Sequence, residues 1–354
     1  MRYLLCASLV VVTLVASGCS ISFGNSSGSA AKKVDASVWR SADGGAKWVP
    51  VVKLATTGTA PQSIANVSVT RVIVDPQDAN AMYLATAANG IVYTYDGGAS
   101  WRQFKELNKG PISAVVVDPQ QKCTLYAIVA TRLYKSEDCG RVWQDIYQHQ
   151  VATVALTDLV VDNDSSDVVY MSDSKGEVLK SIDGGITWET VFRAKAGIIQ
   201  LVTDPHDRET IYAATQNNGL YHTTDSGANW SDLGAGIKSY IGSHQFQQLI
   251  AEPATPGGLI LISKYGMLRS IDSGLSWEIV ELLPAPKAAT IYAVAVNPRN
   301  SDEIYYATRN ALVKTTNGGE TWSSLKLPTA RVPAALVVNP DTTDVVYLGT
   351  RSEK

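Results

Sequence analysis

The 354-residue chain has little of what catalytic and metal chemistry usually concentrates: four histidines, four cysteines, four methionines and a formal net charge of only −3. His149, His206, His222 and His244 form no HExxH pair and no close ligand spacing, so no metal or other cofactor is expected from the motifs. A phosphate-cradling glycine loop, a nucleophile elbow and a basic-aromatic tract are also missing, which removes the nucleotide, serine-hydrolase and nucleic-acid readings. The one extended apolar run is Tyr3 to Val15, and it lies outside the repeating body of the chain.

That run follows Met1-Arg2 and ends at Ala16-Ser17-Gly18-Cys19, an n-region, h-region and small-residue end suited to an export signal. It resembles a bacterial lipobox with Ala16 at the usual leucine position, which would make Cys19 the lipidated first mature residue. An ordinary signal peptide or membrane anchor is the alternative. Residues 1–18 are therefore assigned as signal, and residues 19–33, rich in Ser, Gly and Ala, as a flexible tether. Residues 34–354 form the folded body. Ser20 after the cysteine resembles outer-membrane sorting, which places the protein in the cell envelope, facing the periplasm or the surface.

What the chain has in abundance is one marker, seen as SIDGGITW at Ser181 to Trp188. Variants occur at Ser41 to Trp48, Thr94 to Trp101, Ser136 to Trp143, Thr223 to Trp230, Ser270 to Trp277 and Thr315 to Trp322. Successive marker tryptophans lie 53, 42, 45, 42, 47 and 45 residues apart, the period of one small supersecondary unit. Between markers, Asp-Pro, Asn-Gly and Asp-Ser-Gly turns separate short Val/Ile/Tyr/Thr-rich runs. Each unit reads as four strands, A to D, with the marker as the C–D turn. The body opens on a C–D pair and closes on an A–B pair, so the two ends complete one sheet. The expected fold is all-β: a single seven-bladed β-propeller of four-stranded blades, its closing blade shared by N- and C-terminal strands.

The markers resemble the Asp-box, or BNR-repeat, S/T-x-D-x-G-x-T-W pattern. Trp is present in all seven, and the acid is Asp43, Asp96, Asp138, Asp183, Asp225 and Asp272, with Asn317 the exception. Sialidases, xyloglucan hydrolases, sortilin-type receptors and photosystem II assembly lipoproteins share this resemblance, which implies architecture more than activity. The marker acids are expected to cap turns, the glycines to supply special backbone angles and the tryptophans to wedge blades together. The run Asp162 to Asp167 lacks the glycine and glutamate of a calcium loop and reads as an A–B turn. Cys123 falls in an A–B turn and Cys139 in the C–D turn of the same unit, hence on one face, where a disulfide is reasonable.

The two faces are expected to differ in charge, about −17 over the A–B and C–D turns and about +7 over the B–C and D–A loops. Arg132, Lys175, Arg309 and Arg331 belong to the basic side. Aligned A strands give an inner column of Arg71, Ala114, Asp158, Gln200, Gln248, Ala293 and Ala335, with its polar members candidates for a ligand at the channel. The leading expectation is a non-catalytic, lipid-anchored, monomeric interaction module that holds an envelope protein or acidic glycan on its basic face. No nucleic-acid partner is expected. The alternatives implied by resemblance are a glycoside hydrolase, sialidase-like or xyloglucanase-like, and a photosystem II assembly-factor-like chaperone. A sialidase needs three convergent arginines, for which Arg71, Arg309 and Arg331 are the candidates, Arg331-Val332-Pro333 approximating the entry motif. Xyloglucan hydrolases resemble two propellers clasping a cleft. A two-carboxylate mechanism would have Asp158 and no evident second acid.

Overall fold

A computed structural model describes residues 35–55, 62–283 and 290–353. The expected signal, tether and lipidation site Cys19 lie outside them. The described residues form seven four-stranded antiparallel sheets, numbered here as blades 1 to 7 by their inner A strands: Val69–Asp75, Ala114–Val117, Leu156–Val161, Ile198–Thr203, Phe246–Ala251, Ala293–Asn297 and Val332–Val338. In blade 7 the C-terminal strands Val332–Val338 and Val346–Arg351 are joined by the N-terminal strands Val38–Ser41 and Val49–Pro50. The ring is a seven-bladed propeller whose ends complete one blade.

The irregular marker spacings have a structural cause. The 53-residue interval carries a small extra hairpin, Lys53–Leu54 against Gln62–Ser63, and the 47-residue interval carries a single helical turn, Gly234–Ile237. Both sit in D–A connections, where an insertion leaves the sheets undisturbed.

Seven buried clusters hold the ring together, and each contains the marker tryptophan of one blade packed on the blade before it. Trp143 meets Tyr83 and Phe104. Trp188 meets Tyr126 and Tyr147, and Trp230 meets Tyr170 and Phe192. Trp277 lies with Tyr212 and Leu233, Trp322 with Ile260 and Val280, Trp48 with Tyr305 and Leu325, and Trp101 with Tyr347 and Val38. Removing about 200 Å² of indole from water at about 25 cal/mol per Å² contributes about 5 kcal/mol at such a seam, an upper figure. The B-strand tyrosines add a polar latch. Tyr126, Tyr170 and Tyr347 donate their hydroxyls to the marker carbonyls of Gly184, Ser226 and Gly97 in the following blade, at 3.1, 2.8 and 2.9 Å.

Within a marker the Ser or Thr hydroxyl and the Asp carboxylate close the turn together. Asp183 Oδ1 accepts from Ser181 Oγ, Thr187 N and Ile186 N, while Oδ2 accepts the Thr187 hydroxyl at 2.6 Å. The two glycine places differ. The first has φ between 56° and 69° and is filled in three markers by Cys139, Ser226 and Ser273. The second has φ between 81° and 99° and is glycine in all seven; at five of them a Cβ would also fall onto the preceding blade, as onto the Phe104 ring at Gly140, Leu312 at Gly45 and Ile146 at Gly185. Cys139 and Cys123 are joined by a disulfide between the C–D and A–B turns of blade 2.

The same seam geometry sets the mutational contrast. Gly140→Ala should destabilise by about 3 kcal/mol or more through overpacking and backbone strain, whereas Ser226→Gly should stay within about 0.5 kcal/mol, read by denaturant melts.

Hydrogen bonds from the Thr187 hydroxyl and amide hold Asp183 down to about 2 from its ordinary 3.8, and those from the Asn229 amide and side chain do the same for Asp225. Because the folded value is depressed, this stabilisation is complete above the unfolded value and is lost as pH falls from about 4 toward 2. Asn317 keeps the Thr321 amide bond at 3.0 Å without titrating. Asp183→Ala should therefore lower Tm at pH 7 more than Asp183→Asn, and its gap from wild type should narrow between pH 4 and pH 2.

Candidate functional site

The inner column is aimed by bulges. Register shifts occur at Val69/Arg71, Leu156/Asp158, Ile198/Gln200, Phe246/Gln248 and Pro333/Ala335, one step before the column residue in five of the seven A strands. A bulge adds a residue to one strand and re-aims its side chains, here at the channel and at the next blade.

The polar members then engage one another. Arg71 Nη1 lies 2.5 Å from Asp158 Oδ1, reaching from blade 1 to blade 3, with only the methyl of Ala114 at the column position between them. Asp158 is buried, and its Oδ2 accepts the Leu201 amide of blade 4 at 3.0 Å. Gln200 continues the chain: its Oε1 accepts the Leu249 amide at 2.9 Å and its Nε2 donates to the Leu249 carbonyl at 3.0 Å, clamping blade 4 to blade 5. The Gln248 side chain makes no hydrogen bond among the described residues. It lines a cavity of about 310 Å³ together with Arg71, Gln200, Gln247 and Tyr292. A second cavity of about 360 Å³, lined by Arg71, Asp158 and Gln200 with Pro76 and Pro119, lies toward the A–B turns. The Arg71–Asp158–Gln200 belt is thus a waist that both cavities share. Asp158 is the one carboxylate lining either, and both of its oxygens are occupied.

The three arginines nominated for carboxylate recognition do not converge. Arg331 is a correction to the expected basic surface: it is 8% exposed, its Nε donates to Thr350 Oγ1 and its Nη2 to the Val67 carbonyl, and burial lowers its pKa. It ties the start of the blade 7 A strand to Thr350 of the next strand and to the chain entering blade 1. Arg309 pairs with Glu353 at 2.7 Å, and Arg132 pairs with Asp145. Lys175 is exposed at the rim of a cleft between blades 2 and 3. The acids counted on the opposite face are largely turn caps, such as Asp75 for the Gln77 amide and Asp204 for the His206 amide. Asp162 caps Asp164 in the same way, an A–B turn as expected.

The B–C and D–A face carries two open clefts that the motifs did not reveal. One, of about 470 Å³, is lined by Gly242, Gln245, Gln247, Lys264, Thr290 and Ile291, beside the 81% exposed Ile241. The other, of about 460 Å³, brings His149 to Asp173 and Glu177. Reading the histidines one at a time hid the second. The signal available in the sequence was the departure of blade 3 from its neighbours, Asp173 and Glu177 standing where blades 1 and 4 have Thr86 and Gly90, or Thr215 and Gly219.

Residues 36–177 match the family model described as Sortilin, neurotensin receptor 3. A probable oligoxyloglucan-reducing end-specific xyloglucanase of Neosartorya fischeri is 24% identical over 225 residues, which is 53% of this chain and 27% of that protein. Vacuolar protein sorting/targeting protein 10 of Pyricularia oryzae is 38% identical over 73 residues, 20% of this chain and 5% of its own length. Among solved structures, the Niastella koreensis GH74 enzyme superposes with a TM-score of 0.61 at 16% identity, covering 84% of this chain and 52% of that one. YCF48 from Cyanidioschyzon merolae gives 0.62 at 14% identity, covering 84% and 98%.

The chain folds as a seven-bladed β-propeller whose markers resemble the Asp-box pattern. The matched segments span less than a third of the curated relatives' own lengths, and the structural likenesses establish the fold alone. Within this propeller the belt is a scaffold element. Arg71→Ala should leave Asp158 buried without its cation and cost about 1–3 kcal/mol, a value discounted because Arg71 is partly exposed. Gln200→Ala, which breaks two seam hydrogen bonds, should cost about 1–3 kcal/mol, both effects read as shifts in the denaturation midpoint.

Proposed function

We propose that this propeller is a non-catalytic interaction module, tethered to the bacterial envelope through Cys19, that holds a protein segment or acidic glycan on its B–C and D–A face. The observation that carries this reading is the state of the channel. Its one carboxylate, Asp158, is consumed by Arg71 and by the Leu201 amide, so neither a nucleophile nor an acid–base pair is left free there. What is open is the rim, with two clefts and the cations Lys175 and Lys264 at their edges. The cations at these edges, rather than the cleft floors, meet the negative groups of an extended partner and steer it at low ionic strength.

The comparisons support a single-ring binder in one respect. The match to YCF48, which has also been solved bound to D1 peptide, covers 96% of that chain, whereas the match to the GH74 enzyme covers about half. The second reading, a glycoside hydrolase, is favoured by the similarity to xyloglucanases over 225 residues.

The test is capture from detergent-solubilised envelope by the full-length protein at low and high salt. The combined charge reversal Arg132→Glu, Lys175→Glu, Lys264→Glu and Arg309→Glu should abolish capture while leaving the melting temperature within a few degrees of wild type. Capture unchanged by the reversal removes this interface. Release of reducing ends from xyloglucan, lost in Asp158→Asn, would instead establish the hydrolase.

A further inference from the structure

The cleft between blades 2 and 3 holds a donor set that the repeat does not need. His149 follows the outer strand Gln144–Gln148 of blade 2, while Asp173 and Glu177 flank the B–C turn of blade 3. One ligand atom from each lies within 4.8 Å of the other two, and His149 Nε2 is 3.6 Å from Asp173 Oδ2. A tetrahedral ion with bonds of about 2.0–2.2 Å sets its ligand atoms about 3.4 Å apart. The His149–Asp173 edge is near that value already, and a small side-chain movement brings in Glu177.

The B–C turn of blade 3 shows why Asp173 exceeds a structural role. In blades 1 and 4 the corresponding place is a threonine whose single hydroxyl oxygen closes the turn, Thr86 accepting the Asn89 amide at 2.8 Å and Thr215 the Asn218 amide at 3.0 Å. Asp173 does the same with Oδ1 alone, accepting the Lys175 and Glu177 amides at 2.8 and 3.0 Å. Its Oδ2 makes no hydrogen bond among the described residues, although the side chain is only 1% exposed. That oxygen faces the cleft with the His149 imidazole at 3.6 Å as its nearest partner, a position a cation can share with both groups. Glu177 likewise stands where blades 1, 4 and 5 have Gly90, Gly219 and Gly266.

His149 is held by its other nitrogen. Nδ1 accepts the Val151 amide at 3.0 Å, which leaves the proton on Nε2 facing Asp173; a metal ion at Nε2 would move that proton to Nδ1, 3.2 Å from the Val151 carbonyl, where it completes a second-shell hydrogen bond. The competing contact is weak: Arg193 Nε reaches Glu177 Oε1 at 2.7 Å, but the arginine side chain is 69% exposed.

We propose that His149, Asp173 and Glu177 form a three-ligand site for a divalent transition metal ion, with Zn²⁺ the ion best suited to one imidazole and two carboxylates. The absence of thiolate disfavours Cu(I), and the imidazole disfavours Mg²⁺ and Ca²⁺. The fourth position opens into a cleft walled by Tyr147 and Trp188, whose rings meet edge-on at 5.9 Å, and takes water or a partner's donor atom.

The experiment is calorimetric titration of Zn²⁺ into the full chain in detergent, with Co²⁺ as a spectroscopic probe. Wild type should bind one equivalent at this site and show Co²⁺ bands without the near-ultraviolet thiolate charge-transfer absorption. Asp173→Thr and Glu177→Gly install the residues of blades 1 and 4 and should fold cooperatively, yet weaken binding at least about tenfold, as should His149→Ala. His206→Ala, on the opposite face, should bind as wild type does. No saturable binding, a thiolate-type Co²⁺ spectrum as the sole signal, or wild-type affinity in all three site variants would overturn the site. The readout needs no partner, so it stands or falls separately from the interaction role.

Discussion

The contact on which the ring depends is the close approach of one blade's outer side chains to the second marker glycine of the next. At Gly140 the Phe104 ring occupies the space a Cβ would take, and Leu312, Ile146, Leu233 and Val280 do so at Gly45, Gly185, Gly274 and Gly319. With that approach made, the marker tryptophan folds over its own glycine and closes the seam cluster, and the B-strand tyrosine comes within reach of the marker carbonyl. The Asp and Ser/Thr groups are the local means of holding the turn where the approach can occur. The first glycine place holds Cys139, Ser226 and Ser273 because its φ of 56–69° is met by a short residue with modest strain; the second combines a φ of 81–99° with, at five of the seven seams, excluded volume.

Seven such seams leave the inner strands with polar groups to satisfy, and the ring satisfies them across blades. Arg71, Asp158 and Gln200 hydrogen-bond to each other or to neighbouring backbone and so form part of the closure. The consequence for function is spatial. The polar groups of the inner strands are engaged across blades, and the variable surface is the B–C and D–A rim. Loops at that rim are not constrained by the marker geometry, so departures from the repeat accumulate in them: the extra hairpin at Lys53, the helical turn at Gly234 and the acidic B–C turn of blade 3.

Much of this was legible from the chain alone because the period is long and the marker is chemically distinctive. Seven tryptophans at near-constant spacing, and half-units at the two ends, require a closed ring. The inner column was legible too, since strands aligned on their terminal acids place Arg71, Asp158, Gln200 and Gln248 at one level. Their roles were not. A bulge at each of these positions re-aims the side chain, and a hydrogen bond such as Gln200 to Leu249 joins residues 49 apart. Arg331 was misjudged for a related reason: it begins an A strand at a loop, where arginine ordinarily faces water, but the Thr350 hydroxyl and Val67 carbonyl draw it inward.

The sequence by itself determined the blade count, the strand order, the shared closing blade and the turn chemistry of the markers. These follow from local propensity and periodicity, which act over a few residues and repeat. Only the tertiary structure decided which polar groups are spent on each other and which are left open, because those pairings join blades that are distant along the chain. Asp158 and Asp173 show the difference: both are buried carboxylates on neighbouring strands of blade 3, yet one is satisfied by Arg71 and an amide across the channel, and the other keeps an oxygen facing a cleft beside His149.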